Sequence, residues 1–508
     1  MVESPDGSIG SALSYQYLSS IVFVASGGFF YILIAKFLPT SSVGVIALIL
    51  AITSLLNIVF SFGFPVSAQH FISFNLGKGD SVEMHSLARR LFLIGIVLSI
   101  ASVAFTLIMA KPFAILFFHN ETYSIFVDIA SLYVAAQIIF GILHGSALGL
   151  QLFKTDALIY LSSASISYFL GLLFLFIFHS IHDLLIGISL SYLYGSLLYV
   201  IVIFFRKPSV TKRSKKTTLN LIFSYSWPLI LSGLVGYGSG YVDRFVVAYF
   251  FDISTLGIYS FVLTVSSSFS FFAGPIVNIL VPKLSEFFSI NDRESLIKGI
   301  NLSSALLTLF YSPLALGVAS LAPLILSLLA NSAYERGYPA LIILFFFSSI
   351  FILTNVMGSV IYAVRRTRVY VLSTSLTLAS NVILSFLLIP RSGMVGAAIA
   401  NSSVMVVSFV VLYYYSVIKV TGSYNWAMVL KIWFSSLIMF VSVTVERTVV
   451  GYHIIALPLY VLTGAAVYLS ALNLTHPLRK LNRDEFLSYL PARFNIRKAV
   501  DVLLRRAF

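Results

Sequence analysis

Long apolar runs separated by short polar breaks extend along the chain from residue 9 to residue 473. A transmembrane helix needs about 20 consecutive apolar residues, and these runs are continuous rather than alternating, which favours helices over barrel strands. The pattern predicts an all-α polytopic membrane protein with 14 transmembrane helices. The predicted spans are residues 9–37, 43–72, 86–109, 122–148, 155–178, 183–205, 219–249, 255–281, 296–321, 338–363, 369–389, 393–418, 427–445 and 452–473.

Composition excludes a soluble protein. Hydrophobic residues make up 59% of the 508 residues and charged residues only 10%, whereas an ordinary soluble chain carries about 25% charged residues. The absence of cysteine excludes disulfides, iron–sulfur clusters and thiolate metal sites. We expect neither a cofactor nor a metal. Residues 1–8 lack the basic region of a signal peptide, so the first helix is expected to be retained.

The basic residues predict the orientation. With the N-terminus in the cytoplasm, 26 of the 32 Lys and Arg residues fall on the inside and five on the outside. This asymmetry predicts a multi-pass protein of the cytoplasmic membrane with both termini in the cytoplasm. The net charge of +14 therefore indicates topology and contact with anionic membrane lipids, not nucleic-acid binding.

Similar segments recur at an offset of 212 or 213 residues, which indicates an internal duplication. The matched pairs are Leu38–Val45 with Phe251–Ile258, Ser26–Gly27 with Ser239–Gly240, Gly145–Ser146 with Gly358–Ser359, and Lys154–Thr155 with Arg366–Thr367. Because six helices separate the copies, they are expected to be two parallel six-helix repeats. The predicted organisation is an N-lobe (1–205, helices 1–6), a basic cytoplasmic linker (206–218), a C-lobe (219–419, helices 7–12), helices 13 and 14 (420–475) and a basic cytoplasmic tail (476–508).

Two such lobes are expected to leave a cleft near the midplane of the membrane, the usual design for alternating access. The chain has no phosphate-binding loop of the type GxxxxGK[ST], and its predicted loops are too short for a soluble catalytic domain. These features favour a secondary transporter over an ATP-driven pump or a membrane enzyme.

Several motifs occur in an order that is typical of one family. They are Ala35–Pro39 with Val43–Gly44, Trp227–Gly233 with Tyr241–Arg244, Gly257–Ser260, and Leu388–Pro390 with Gly393–Ala400. Together they resemble polysaccharide flippases of the Wzx type, in the multidrug/oligosaccharidyl-lipid/polysaccharide exporter superfamily. The resemblance covers nearly the whole chain. It implies transport of a lipid-linked oligosaccharide, on a polyprenyl-phosphate or -diphosphate carrier, from the inner to the outer leaflet.

Asp243 and Arg244 are the main candidate residues for substrate binding, because ionisable groups inside a membrane are costly and usually functional. Arg244 could bind a phosphate or a sugar, and Asp243 could orient a gate or relay protons. Equally, the two could form a structural polar lock, or Arg244 could reach the outer interface. The corresponding residues of the first repeat are Phe30 and Tyr31.

Six further polar residues are candidates with weaker support. Lys36 would receive the head group on the outer side or anchor helix 1 at the interface, and His70 could titrate near neutral pH or be a satisfied histidine at the interface. The remaining four are Asn57 and Asn278, which would line the cleft or bond across helices, and Arg89 and Arg90, which mainly indicate topology and could also attract the lipid phosphate where it enters from the cytoplasm.

Two other functions are open. A cation-coupled multidrug antiporter of the same fold usually has twelve helices and an acidic residue in helix 1, but residues 9–37 contain neither Asp nor Glu. A membrane enzyme would need an acidic outer loop, and the outer loops contain only isolated acidic residues. The coupling ion, H⁺ or Na⁺, stays open.

Overall fold

The computed structural model describes residues 26–205, 218–269, 274–451 and 453–479. In these ranges all of the regular secondary structure is helical. The chain divides into two compact units, residues 1–257 and 258–508. The multi-span helical membrane protein predicted from the apolar pattern is confirmed in this coarse form.

The first unit contains eight helices in its described ranges and the beginning of a ninth. They are α1 (Ser26–Phe37), α2 (Thr40–Ser61), α3 (Phe64–Gly77), α4 (Ser81–Phe113), α5 (Ser124–Gly149), α6 (Phe153–Phe178), α7 (Ile181–Phe204), α8 (Leu219–Phe250) and α9 (Ile253–Ser268). The most extensive packing joins α6 with α7, α4 with α5, and α5 with α7. The final turns of α4 continue as a π-helix over Ala114–Phe118.

The second predicted span, 43–72, is two helices rather than one. Phe62 and Gly63 adopt left-handed backbone, with φ of 52° and 70°, which ends α2 and starts α3 in a new direction. Pro65 occupies the first turn of α3, where its missing N–H costs no hydrogen bond. The Ser67 and Ser226 hydroxyls, both buried, lie 2.6 Å apart and join α3 to α8.

The second unit contains the remaining described helices. They are α10 (Gly274–Ser289), α11 (Arg293–Ser320), α12 (Ala322–Leu329), α13 (Tyr338–Phe351), α14 (Thr354–Ala363), α15 (Arg368–Tyr413), α16 (Trp426–Val450) and α17 (Leu457–Thr475). Helix α11 packs against α13 and α16, and α16 packs against α17. The Tyr468 hydroxyl of α17 donates a hydrogen bond of 2.7 Å to the Leu309 carbonyl of α11.

Helix α15 is a run of 46 residues, about 69 Å at 1.5 Å per residue, which is far longer than a bilayer core of about 30 Å. Gly393, at φ 55° and ψ −130°, interrupts its helical backbone three residues after Pro390. This break lies at the boundary predicted between spans 369–389 and 393–418.

Ten helices in the described ranges are long and apolar enough to cross a membrane, or 11 if the bent pair Ser332–Phe351 and Thr354–Ala363 is one span. The number 14 and the repeat organisation therefore stay predictions. Most of the linker 206–218 and most of the tail 476–508 lie outside the described residues, as does the N-terminal part of the first predicted span.

Candidate functional site

Helix α8 carries the two charged residues predicted to bind substrate. Asp243 is completely buried, and its Oδ1 accepts a 3.0 Å hydrogen bond from the backbone N–H of Arg244. Helix α8 is fixed against α2 because the Tyr237 hydroxyl donates to the Ala51 carbonyl. The charged pair thus lies on a helix that packs against α2 and α3 of the first unit.

Arg244 is partly exposed and lies against an aromatic surface. Its Cζ is 4.2 Å from the centre of the Tyr241 ring, and the Tyr241 ring stacks on that of Tyr237 at 4.4 Å. A cation over an aromatic face is stabilised by the negative potential of the ring. The Arg244 Nε is buried and has no hydrogen-bond partner among the described residues, so one donor is available to a ligand.

Five tyrosines from five helices interact with one another in a series that begins beside this guanidinium. We call them the tyrosine cluster: Tyr31 (α1), Tyr133 (α5), Tyr168 (α6), Tyr192 (α7) and Tyr241 (α8). Electrostatic interactions join Tyr31 to Arg244 and Tyr241, and Tyr168 to Tyr31, Tyr192 and Tyr241. The Tyr133 and Tyr192 rings meet edge to face at 5.5 Å. The cluster and the Asp243–Arg244 pair together form what we call the Arg244 site.

Gln137 adds a second unsatisfied polar atom beside the cluster. Its side chain hydrogen-bonds with Tyr192, while its Oε1 is buried with no partner among the described residues. A buried polar atom without a partner costs about 1–3 kcal/mol. Such an atom is a candidate acceptor for a ligand hydroxyl.

The chemistry of the Arg244 site suits a polar, anionic ligand. Tyrosine hydroxyls both donate and accept hydrogen bonds, and tyrosine rings offer flat apolar faces with polar tips. A guanidinium binds phosphate with directed, charge-assisted hydrogen bonds. The site thus combines groups that recognise sugars with one that recognises phosphate. No group of His, Asp or Glu in the described ranges could hold a metal ion.

The other predicted residues on α1 and α2 are not part of this site by direct contact. Lys36 is exposed, one residue before the end of α1. The Oδ1 of Asn57 is buried on α2 and has no partner among the described residues. No hydrogen bond, ion pair or ring contact between described residues joins Asn57 to Arg244.

His70 lies far from Arg244. Its exposed ring stacks on Tyr225 at 4.6 Å, with the two planes 9° apart. Tyr225 and Arg244 are 19 residues apart on α8, which is about 28 Å along a helix. His70 therefore lies beside one end of α8, and Arg244 lies toward the other end.

Arg89 and Arg90 lie in the first turns of α4. Arg89 is exposed, whereas Arg90 forms an ion pair with the buried Glu83. Asn278 is part of α10, but its side chain lies outside the described part of the structure. Asp243 and Arg244 are neighbours in the sequence and share this site, and none of the other predicted residues with a described side chain contacts them.

The sequence analysis did not identify the tyrosine cluster or Gln137. The chain has 28 tyrosines, and the five members of the cluster come from five separate helices with no common local motif. The only available sequence signal was that Tyr31, which the predicted duplication aligns with Arg244, is uncharged.

Comparison with known proteins decides the family. The model of the family described as polysaccharide biosynthesis protein matches residues 14–288, more than half of the chain. The chain belongs to the polysaccharide biosynthesis protein family. The match spans α1 to α8 and therefore includes every described residue of the Arg244 site. It agrees with the resemblance to polysaccharide flippases found in the motifs.

One protein similar in sequence to this chain is named as a flippase. The probable low-salt glycan biosynthesis flippase Agl15 of Haloferax volcanii is 24% identical over 284 residues, which cover 56% of this chain and 60% of that protein. The fold is similar to that of the lipid II flippase MurJ in an inward closed conformation, with a TM-score of 0.73, 18% identity, and coverage of 92% of this chain and 99% of MurJ.

A multidrug resistance transporter of the MATE family and MOP superfamily has the same fold, with a TM-score of 0.65 and 14% identity over 80% of this chain and 95% of that chain. These likenesses show that the chain shares its fold with both proteins. They do not distinguish a lipid-linked sugar from an organic cation as the transported molecule.

Proposed function

We propose that this protein is a flippase that moves a lipid-linked oligosaccharide from the inner to the outer leaflet of the cytoplasmic membrane by alternating access. Its substrate is a polyprenyl-phosphate or -diphosphate carrying a glycan destined for cell-surface polysaccharide or glycoprotein synthesis. Membership of the polysaccharide biosynthesis protein family and the transporter fold support this class of function.

The observation that carries the proposal is the combination of polar groups at the Arg244 site. A guanidinium with an unsatisfied Nε lies beside a cluster of tyrosines and a glutamine with an unsatisfied Oε1. The donor suits a phosphate, and the acceptor suits a sugar hydroxyl. Both atoms are buried, so leaving them without a hydrogen-bond partner costs free energy, which a bound ligand would recover.

The proposed substrate poses a physical problem that such a site helps to solve. The glycan and the phosphate cannot cross hydrocarbon unaided, whereas the polyprenyl chain can remain in the lipid. A polar site in the first unit would replace part of the water lost by the head group. Arg244 would hold the phosphate, and the tyrosine cluster would contact the first sugars.

A transport assay with a matched pair of arginine variants tests this function. The purified protein is placed in liposomes with a fluorescent polyprenyl-diphosphate-linked oligosaccharide, and an impermeant quencher reports its movement between leaflets. Loss of a hydrogen bond to a charged group costs about 1.5–3 kcal/mol, so Arg244→Gln is expected to slow flipping by roughly ten- to a hundredfold. Arg244→Lys, which keeps the charge, should retain more activity.

Arg391→Gln is the control, because Arg391 is an exposed arginine on α15 and its loss should leave flipping unchanged. Equal activity of wild type and Arg244→Gln would remove Arg244 from the site. If several lipid-linked glycans fail to move in vesicles of folded wild-type protein, the alternative is cation-coupled antiport of organic cations, measured in the same vesicles. That alternative is disfavoured by the positive charge of Arg244.

A further inference from the structure

A second polar network lies outside the Arg244 site and joins three helices of the first unit. The carboxylate Oδ1 of Asp156 (α6) accepts a 2.7 Å hydrogen bond from the Tyr199 hydroxyl (α7). The same oxygen lies 2.7 Å from Nδ1 of His144 (α5). The Tyr199 oxygen is also 3.2 Å from that nitrogen. We call these residues the His144 triad.

The triad lies where the three helices begin or end. His144 is five residues before the end of α5, Asp156 is three residues after the start of α6, and Tyr199 is five residues before the end of α7. Only residues 150–152 separate α5 from α6. The network therefore fastens three neighbouring helix ends to one another. In the predicted topology these are the cytoplasmic ends.

Burial makes the charge of this network sensitive to one proton. Asp156 and Tyr199 are completely buried, whereas the His144 side chain is 26% exposed. A buried carboxylate is costly unless a cation compensates it. Tyr199 donates a hydrogen bond but brings no charge, whereas a protonated His144 would bring a balancing positive charge.

In the predicted topology, the exposed part of His144 near the helix ends would give a proton a route to water. With Nδ1–H directed at Asp156, the imidazolium releases the proton of Nε2 to a water molecule. The hydrogen bond to Asp156 stays, but the positive charge is lost and the buried carboxylate is no longer balanced. Imidazole is the side chain whose charge ordinarily changes near neutral pH.

Other titratable groups surround the triad on its own and neighbouring helices. The Tyr160 ring on α6 is 5.1 Å from that of His144 and interacts electrostatically with Asp156. Among the described residues, the other titratable groups toward these helix ends are Lys154 on α6, His70 on α3, Lys78 and Asp80 between α3 and α4, and Glu83, His85, Arg89 and Arg90 on α4. Glu83 and Arg90 are paired with each other, whereas His144 directly contacts the buried carboxylate.

The helices that meet at the triad are tightly packed one to two turns away. A Cβ atom on Gly195 of α7 would lie 2.2 Å from Ser163 Oγ of α6 and 2.6 Å from Phe140 Cε2 of α5. Because packed protein interiors deform little, a movement of one of these three helices is transmitted to the other two.

We propose that the His144 triad is a proton-binding site that controls how tightly the ends of α5, α6 and α7 are held together. The protonated state binds the ends through the imidazolium–carboxylate pair, and loss of the proton loosens them. In relation to the proposed function, on which this point rests, the proton is then the ion that sets the rate of flipping.

The absence of cysteine from the chain allows a distance measurement on the full-length protein. Lys154→Cys and Phe205→Cys place spin labels on exposed positions at the start of α6 and just after α7. The label distance is measured by electron–electron double resonance in lipid vesicles between about pH 5 and pH 8. We expect a shift in the wild-type background and loss of that shift in His144→Gln.

His182→Gln is the matched control. His182 lies on α7, and its Nδ1 is 3.1 Å from a serine hydroxyl rather than from a carboxylate. This variant should keep the full pH response. If His144→Gln fails to fold, the double variant His144→Gln/Asp156→Asn replaces the pair by two neutral amides, which removes the buried charge. Its label distance should be independent of pH.

An unchanged pH response in His144→Gln or in the double variant, or no response in the wild-type background, would overturn the proposal. The distance measurement needs no lipid-linked glycan, so it stands if flipping is not observed. Conversely, the wild type could show a label distance that depends on pH but flipping that does not. That result would support the proton-binding site and show that it does not control transport.

Discussion

At the scale of the residue, unsatisfied polar atoms point most directly to a ligand. Asn57 Oδ1, Gln137 Oε1 and Arg244 Nε are buried in the first unit without a partner among the described residues. Native structures pair the great majority of such atoms. Two of these three residues were predicted from sequence, because Asn and Arg are rare within apolar helices. Gln137 was not predicted, although it lies in a segment that is otherwise mostly apolar.

Asn57→Leu separates a functional role of Asn57 from a structural one. Replacing an unsatisfied amide by an apolar side chain of similar size should leave the thermal unfolding temperature unchanged or higher. If Asn57 contacts the glycan, flipping should nevertheless fall several-fold. Thermal unfolding and the liposome assay are measured on the same preparation.

Asn75→Leu provides the comparison. The Asn75 side chain is buried on α3 and its Nδ2 donates a 2.9 Å hydrogen bond to the Phe71 carbonyl, so its loss should lower the unfolding temperature. Unaltered flipping in Asn57→Leu would exclude Asn57 from the transport path.

At the scale of the element, the same local structures recur at the offset of the predicted duplication. Asp80 caps α4 by accepting from the Glu83 N–H, and Asp292 caps α11 by accepting from the Ser295 N–H. Hydrogen bonds from the side chain and backbone of Ser295 lower the pKa of the Asp292 carboxyl. Such matches agree with the duplication, which stays a prediction.

Helices α2 and α9 begin at positions that are 213 residues apart, Thr40 and Ile253, and they are in close contact. A Cβ atom on Gly44 would lie 1.9 Å from the Ile253 carbonyl oxygen, and one on Gly257 would lie 2.0 Å from the Thr40 carbonyl oxygen. The Thr40 and Ser254 hydroxyls also hydrogen-bond. Only glycine permits this approach at either position.

Gly44→Val is therefore expected to destabilise the fold. The added side chain meets backbone atoms that cannot rotate away, and overpacking of this kind costs about 1–3 kcal/mol or more. The yield of monodisperse protein and its unfolding temperature should both fall. Gly236→Ala on α8, where a Cβ would meet nothing within 4 Å, should leave both unchanged. Equal stability of the two variants would contradict the contact.

At the scale of the whole molecule, the distribution of charge predicts how the chain is inserted. Lys78 lies just before α4 and Lys111 near its end, and both are exposed. Helix α4 has 33 residues, about 50 Å in length, so these two lysines lie on opposite sides of a membrane that it crosses. The prediction puts Lys78 in the cytoplasm and Lys111 outside.

Single cysteines at these positions test that orientation in intact cells. A membrane-impermeant thiol reagent should label Lys111→Cys and leave Lys78→Cys unlabelled until the cells are opened. Loss of the Lys111–Glu121 ion pair should matter little, because exposed pairs contribute about 0–1 kcal/mol. The reverse labelling pattern would invert the topology and the proposed direction of transport.

The sequence by itself determined the membrane class, most of the helix positions and the family resemblance. Hydropathy and charge act locally, so apolar runs and basic breaks can be counted without knowing the fold. The same reasoning located Asp243 and Arg244, because a charge inside an apolar run is visible in one dimension. It also located the break at Gly393, where Pro390 and a glycine interrupt a long apolar run.

Only the tertiary structure decided which side chains meet. The tyrosine cluster draws one residue from each of five helices, and the His144 triad draws one from each of three. Their meeting depends on how far each helix is rotated and how closely it packs, which is set by distant contacts such as those at Gly195 and Gly44. Hydropathy carries no information about that rotation when a helix is apolar on every face.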